Sequence, residues 1–257
     1  MGTAVDEPRR SAPPLPPTAH PSWLLSMIVT LEEPWQRAAW PRLFEETAHA
    51  SQLPPLAAWR RVVSDFFVVV ENFPKYMALT LAKTTYGRRA GDHRVRRWLL
   101  GNLAVEARHA EWYLDWCEAM GVSRDRIVSA TPCDEVRALH DHLWKSCRDG
   151  SLVEGIAAAN WAIEGVTGVW SRGVAEPFRR YEREGFRVDS RSMMWLAAHA
   201  RYDEAHPEEA LEALKIYADD PETGGRRGDP RAITQAARTA LELFAAGVER
   251  CYQLATT

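Results

Sequence analysis

At 257 residues, 46% of them hydrophobic, the chain is long enough to bury a sizeable core without disulfides or other staples. Its 32 basic and 35 acidic residues leave a net charge of −3, which excludes the strongly basic footprint of a nucleic-acid binder. The four cysteines (Cys117, Cys133, Cys147, Cys251) lack CxxC spacing, no apolar run reaches the about 18 residues of a membrane span, and no apolar stretch follows Arg9 and Arg10 to make a secretory signal, so a reduced, cytoplasmic protein is expected.

Residues 1–22 carry six prolines and little apolar content, which predicts a disordered or loosely docked tail ahead of one domain over 23–257. From Trp23 to Ala50, apolar residues at mixed spacing between Pro34, Pro41 and Pro54 predict an irregular lead-in and one helix. Pro54-Pro55 opens a second helix, running to about Arg88, with Trp59, Val62, Val63, Phe66, Phe67, Val70 and Phe73 on a broad apolar face. Pro74 predicts a kink or break near Asn72. Gly91-Asp92 starts a third helix, in which Trp98, Leu99, Glu106, His109, Tyr113 and Trp116 recur at helical spacing until Gly121 ends it.

Pro132-Cys133-Asp134 caps a fourth helix, to Cys147, and Asp149-Gly150-Ser151 turns the chain into a fifth, from about Leu152 to Glu184. Its small residues, among them Gly155, Ala158, Gly165 and Gly168, permit close helix approach. Ser190 opens a sixth helix to about Ala218, Asp219 to Pro230 reads as a polar loop, and a last helix runs from Arg231 to about Leu254. No segment alternates with period two for long enough to be a strand. The expected class is all-α, one domain of about seven helices.

Candidate metal ligands stand out on three of these helices. His199, Asp203 and His206 lie at i, i+4 and i+7, which puts them within about 60° of one another on a helix face. Glu106 and His109, three apart, reach a common centre from a single helix. Glu164 is the lone charge of an apolar stretch, where a carboxylate is costly unless hydrogen-bonded, paired or metal-bound. Three carboxylates and three imidazoles are the style of ligation that helical bundles use for two iron or manganese ions. The plain alternative is a metal-free polar network. His140 and His142 face differently on a polar helix and read as solvated.

On these motifs the chain resembles the heme-oxygenase-like dinuclear iron oxidases and oxygenases, relatives of thiaminase II and pyrroloquinoline quinone synthase. The resemblance spans roughly residues 35–254. It rests on Asn72-Phe73-Pro74-Lys75-Tyr76, on Asn102-Leu103-Ala104-Val105-Glu106, on the fifth-helix Glu164, and on the motif of His199, Asp203 and His206. It implies a heme-oxygenase-like helical bundle with the metal ligands Glu106, His109, Glu164, His199, Asp203 and His206. It also implies two iron ions as cofactor, dioxygen as co-substrate, and a small-molecule substrate. An external electron donor or reductase, and a homodimer, are compatible with it; nucleic acid and membrane are not expected partners.

The chlamydial relative that supports 4-aminobenzoate synthesis has a lysine and a tyrosine that align with Val174 and with residues 44–46 here, so that self-sacrificing chemistry is not expected. Nor does any motif place a cysteine as a thiaminase-like nucleophile. The chemistries left by the resemblance are N-oxygenation of a small amine, the first expectation, and oxidative desaturation or C–C fragmentation of a small aliphatic acid or amino acid. A non-catalytic helical partner-binding protein with a vestigial site is the reading from another class. Phe66, Phe67, Phe73, Trp161 and Trp170 suit a compact or planar substrate, although core packing alone would also account for them.

Overall fold

The computed structural model describes residues 15–88, 91–202, 206–218 and 228–257, without the side chains of Tyr202 and His206. All regular structure among them is helical. The segments are α1 (Ser22–Ala39), α2 (Arg42–His49), α3 (Leu56–Leu81), α4 (Asp92–Glu106), α5 (His109–Ala119), α6 (Arg124–Val128), α7 (Asp134–Arg148), α8 (Leu152–Gly155), a π-helix (Ile156–Ile163), α9 (Glu164–Phe178), a 3₁₀ segment (Arg179–Glu184), α10 (Met194–Tyr202), α11 (His206–Ala218) and α12 (Pro230–Thr256). With α8, the π segment and α9 taken as one rod and α6 as a single turn, this makes about ten helices rather than seven. None of the described helices is long and apolar enough to cross a membrane.

The differences from expectation have local causes. The lead-in before Pro41 is regular helix, because Leu24, Met27, Leu31 and Ala38 bury one side of it; Pro41, which has no N–H to donate, separates α1 from α2. Pro74 does not interrupt α3: Phe73, Tyr76 and Met77 are buried on either side of it, and the rod continues to Leu81, short of Arg88. The expected third helix divides at Ala107-Arg108 into α4 and α5, and Gly121 ends α5 with φ +83°. Ser190 does not open α10. Asp189 and Ser192 form a reciprocal turn instead (Ser192 N–H to Asp189 Oδ1, 2.7 Å; Asp189 N–H to Ser192 Oγ, 2.9 Å), and the helix begins at Met194.

The core runs through the bundle as one cluster and is unusually aromatic. Trp59, Trp116, Trp170, Trp195 and Phe178 are linked by successive ring contacts, with the Trp116 and Trp195 rings stacked at 5.1 Å and 5°. Two polar anchors hold α11 in place. The Trp98 indole N–H donates to buried Glu209 at 2.9 Å, tying α11 to α4. Glu212 accepts the Thr18 N–H and hydroxyl, each at 2.8 Å, tying α11 to the segment ahead of α1.

Candidate metal centre

Four of the six candidate ligands are positioned by identifiable local features among the described residues. Glu106 is the last residue of α4 and His109 the first of α5, so they share a helix break rather than the single helix expected from the sequence. The break turns the two side chains toward each other, with His109 Nδ1 2.7 Å from Glu106 Oε2.

Glu164 follows directly on the π-helix. Eight buried, almost wholly apolar residues there adopt the wider i→i+5 winding, a feature often met at functional sites. Asn160, buried one turn earlier, donates its amide N–H to Glu164 Oε2 at 3.0 Å and fixes the carboxylate's direction.

His199 sits on α10, where its Nδ1–H donates to the Trp195 carbonyl at 2.8 Å. That bond leaves the lone pair on Nε2, the tautomer in which imidazole serves as a metal ligand. The His199 ring also packs against the Trp195 ring at 4.1 Å.

These elements bring four of the six candidates together. Glu106, His109, Glu164 and His199 are only 4–7% exposed, and all four line one cavity of about 70 Å³. The His109 and His199 rings lie 4.6 Å apart across it. Asp203 lies outside the described residues, as does the side chain of His206, whose backbone opens α11. Pro207, next to His206, packs on α9 where Gly165 follows Glu164: a Cβ built at Gly165 would fall 3.2 Å from Pro207 Cγ and 2.4 Å from the Trp35 ring. The absence of a side chain at Gly165 therefore lets the start of α11 approach the helix that carries Glu164.

The rest of the cavity wall is aromatic and aliphatic, from Phe44 (α2), Trp59, Phe66 and Phe73 (α3), Trp170 (α9) and Phe244 (α12). Of the five aromatics expected near the substrate, Phe66, Phe73 and Trp170 line it, whereas Phe67 and Trp161 pack elsewhere in the core. The sequence alone does not mark Phe44 or Phe244 as cavity wall, nor Asn160 as a site residue, although its spacing of four residues before Glu164 is a legible sign. The Tyr113 hydroxyl, also at the cavity, donates to the Val63 carbonyl at 3.0 Å.

His140 and His142 are half-buried and partnered, not solvated. His140 Nδ1 lies 2.6 Å from the Tyr76 hydroxyl and His142 Nε2 2.8 Å from the Ala236 carbonyl; burial holds the His142 pKa below its ordinary value.

The donor set fits iron. Two carboxylates and two imidazoles converge in a buried, otherwise apolar space, and hard oxygen with borderline nitrogen donors is what non-haem iron sites use. Among the described residues no cysteine lines the cavity, so none of the four is placed there as a nucleophile.

The comparisons with known proteins give the fold and the family. No curated protein matches the chain. Among solved structures, a TenA homolog from Pseudomonas syringae pv. tomato is 31% identical, with a TM-score of 0.83 over 96% of this chain and 100% of its own. A domain of unknown function with a heme oxygenase-like fold from Shewanella denitrificans (18% identity, TM-score 0.67, 90% of this chain and 92% of its own) shares the fold. So does a CADD-like protein of unknown function from Nostoc punctiforme (13% identity, TM-score 0.59, 91% and 94%). The family model for iron-containing redox enzymes matches residues 60–245, nearly three-quarters of the chain, and the chain belongs to that family.

Proposed function

We propose that the chain is a dinuclear non-haem iron enzyme that uses dioxygen to oxidise a small, mainly apolar carboxylic acid. The observation that carries this reading is the convergence of Glu106, His109, Glu164 and His199 on one buried cavity whose other walls are almost wholly hydrocarbon. With Asp203 and His206 the set reaches three carboxylates and three imidazoles, the complement expected for two iron ions in a helical bundle. Iron held by these residues would supply the reductive activation of dioxygen.

The walls favour one of the chemistries left open by the resemblance. An aliphatic amine is cationic near neutral pH, and its ammonium would enter a cation-bearing site with few polar wall groups to receive it. A carboxylate does the opposite. Three ligand carboxylates offset three of the four charges of two divalent ions, and a substrate carboxylate neutralises the fourth. Its hydrocarbon part then gains about 25 cal/mol per Å² of apolar surface buried against Phe44, Phe66, Phe73 and Phe244. Desaturation or C–C fragmentation of such an acid is therefore favoured over the N-oxygenation expected first.

The chain's own residues supply position and dryness. Asn160 holds the Glu164 carboxylate, the Trp195 carbonyl holds the His199 tautomer, and the aromatic wall keeps bulk water from the reacting carbons. The test exposes Fe(II)-loaded protein to dioxygen with short and medium aliphatic acids and with the matching amines, and reads oxygen uptake and product mass. Acid-dependent uptake with an unsaturated or shortened product is expected. Turnover of the amines alone, to N-oxygenated products, would overturn the choice of substrate.

A further inference from the structure

Away from the iron cavity, Asp65 on α3, Cys133 at the N-cap of α7 and Cys251 near the end of α12 bring one oxygen and two sulfurs to a single point, every pair of ligand atoms within 4.8 Å. None of the three lines the iron cavity. The geometry points to a second metal site, and we propose that it binds one zinc ion through these side chains.

The distances suit it. Zinc bonds of about 2.3 Å to sulfur and about 2.1 Å to oxygen require tetrahedral edges of roughly 3.8 Å between sulfurs and roughly 3.6 Å between sulfur and oxygen. Here the two Sγ atoms are 3.9 Å apart, and Cys251 Sγ lies 3.5 Å from Asp65 Oδ2. Little movement separates this arrangement from a ligated one.

The charges balance as well. Two thiolates and a carboxylate carry three negative charges, which a divalent ion and the Arg61 guanidinium, 2.8 Å from Asp65 Oδ2, together neutralise. Arg61 and the Cys133 N–H, 2.9 Å from the same oxygen, hold the carboxylate's orientation in the manner of outer-shell partners. Burial pushes both thiols up, so they keep their protons until a cation displaces them. Binding is then zinc plus two thiols giving a zinc dithiolate and two released protons, with the carboxylate as third ligand and water as fourth. That water and the ion enter from a surface groove lined by Arg61, Ser64, Asp65 and Thr131.

The site would clip α3, α7 and α12 together. Phe66, beside Asp65, and Val248, one turn before Cys251, both line the iron cavity, so the clip fixes two of its walls. A lone cysteine pair would read as a latent disulfide; the carboxylate and the balancing arginine favour a cation.

The test adds Co²⁺, a spectroscopic substitute for zinc, to metal-free full-length protein under anaerobic conditions. A near-ultraviolet thiolate-to-cobalt charge-transfer band is expected, a signal that the carboxylate and imidazole ligands of the iron site cannot produce. Zinc should abolish it, and its apparent affinity should rise about a hundredfold per pH unit, as two protons leave per ion. Cys133→Ser and Cys251→Ser should each remove most of the band, Asp65→Asn should weaken binding at least about tenfold, and His109→Ala should leave it intact. Folded wild-type protein without the band, or an equal band in the Cys133→Ser protein, would overturn the proposal.

Discussion

Asn160 shows how one residue sets the chemistry of another. A buried carboxylate at the end of an apolar π-helix could settle in several rotamers, and the 3.0 Å bond from the Asn160 amide selects one. Losing such a partner typically costs a metal site 10–100-fold in affinity. Asn160→Ala should therefore weaken Fe(II) binding by about that factor, read by competition with a chelator, while changing the melting temperature little. Unaltered affinity would mean that Glu164 is held by other contacts.

At this scale the sequence is informative where chemistry is dear. Glu164 is conspicuous as the one charge in an apolar run, and Glu106 and His109 by their spacing; the structure places all three on the same cavity as His199. The wall was not legible, because nothing local to Phe44 or Phe244 says which neighbour they face. Both are ordinary core residues until α2, α3, α9 and α12 are assembled around them.

Among the elements, α9 and α11 carry the clearest constraints. Gly165 lies where a Cβ would fall 2.4 Å from the Trp35 ring and 3.2 Å from Pro207, so Gly165→Ala must displace one or both. Overpacking of this kind costs about 1–3 kcal/mol. Because Pro207 adjoins His206, the variant should lose iron affinity as well as thermal stability. Full iron affinity alongside a lowered melting temperature would show that the start of α11 is not what sets the site.

The other end of the constraint is the Glu212 contact that holds α11 to the chain ahead of α1. Burial pushes the Glu212 carboxyl up, but the Lys215 ammonium and the Thr18 N–H and hydroxyl outweigh it and hold the group below its ordinary value. A depressed carboxyl stabilises the fold above the unfolded pKa of about 4.3 and loses that contribution as pH falls through the folded value. Glu212→Gln should thus cost about 1–3 kcal/mol at pH 7, and the gap to wild type in pH-dependent thermal melts should narrow below about pH 4. A gap independent of pH would assign the effect to shape rather than charge.

These elements were legible to different degrees. The rod from Leu152 to Glu184 was read whole, because an apolar run bounded by a Ser151 cap and Gly185 has unambiguous ends. The divisions at Ala107-Arg108 and before Met194 were not, since helical periodicity carries across a two-residue break and a serine caps equally well at neighbouring positions.

In the whole molecule, an aromatic core surrounds a largely apolar cavity lined by acid and imidazole side chains. An apolar bundle would be more stable without them: burying carboxylates costs several kcal/mol unless cations or donors compensate. Iron bound there would offer that compensation, and metal should then raise stability by mass action. Fe(II) loading is accordingly expected to raise the melting temperature of wild-type protein and to have little effect on a Glu106→Gln, Glu164→Gln double variant, which differential scanning calorimetry would resolve. An equal rise in both would place the stabilising metal elsewhere.

The most direct measurement is an anaerobic Fe(II) titration of metal-free protein, with iron counted by mass spectrometry after desalting and the bound ions characterised by Mössbauer spectroscopy. Wild-type protein should retain about two irons per chain with nitrogen and oxygen ligation, and His109→Ala and Glu164→Gln should each lose at least one while staying folded. Iron at background in folded wild-type protein, or full retention by both variants, would contradict an iron centre built on Glu106, His109, Glu164 and His199.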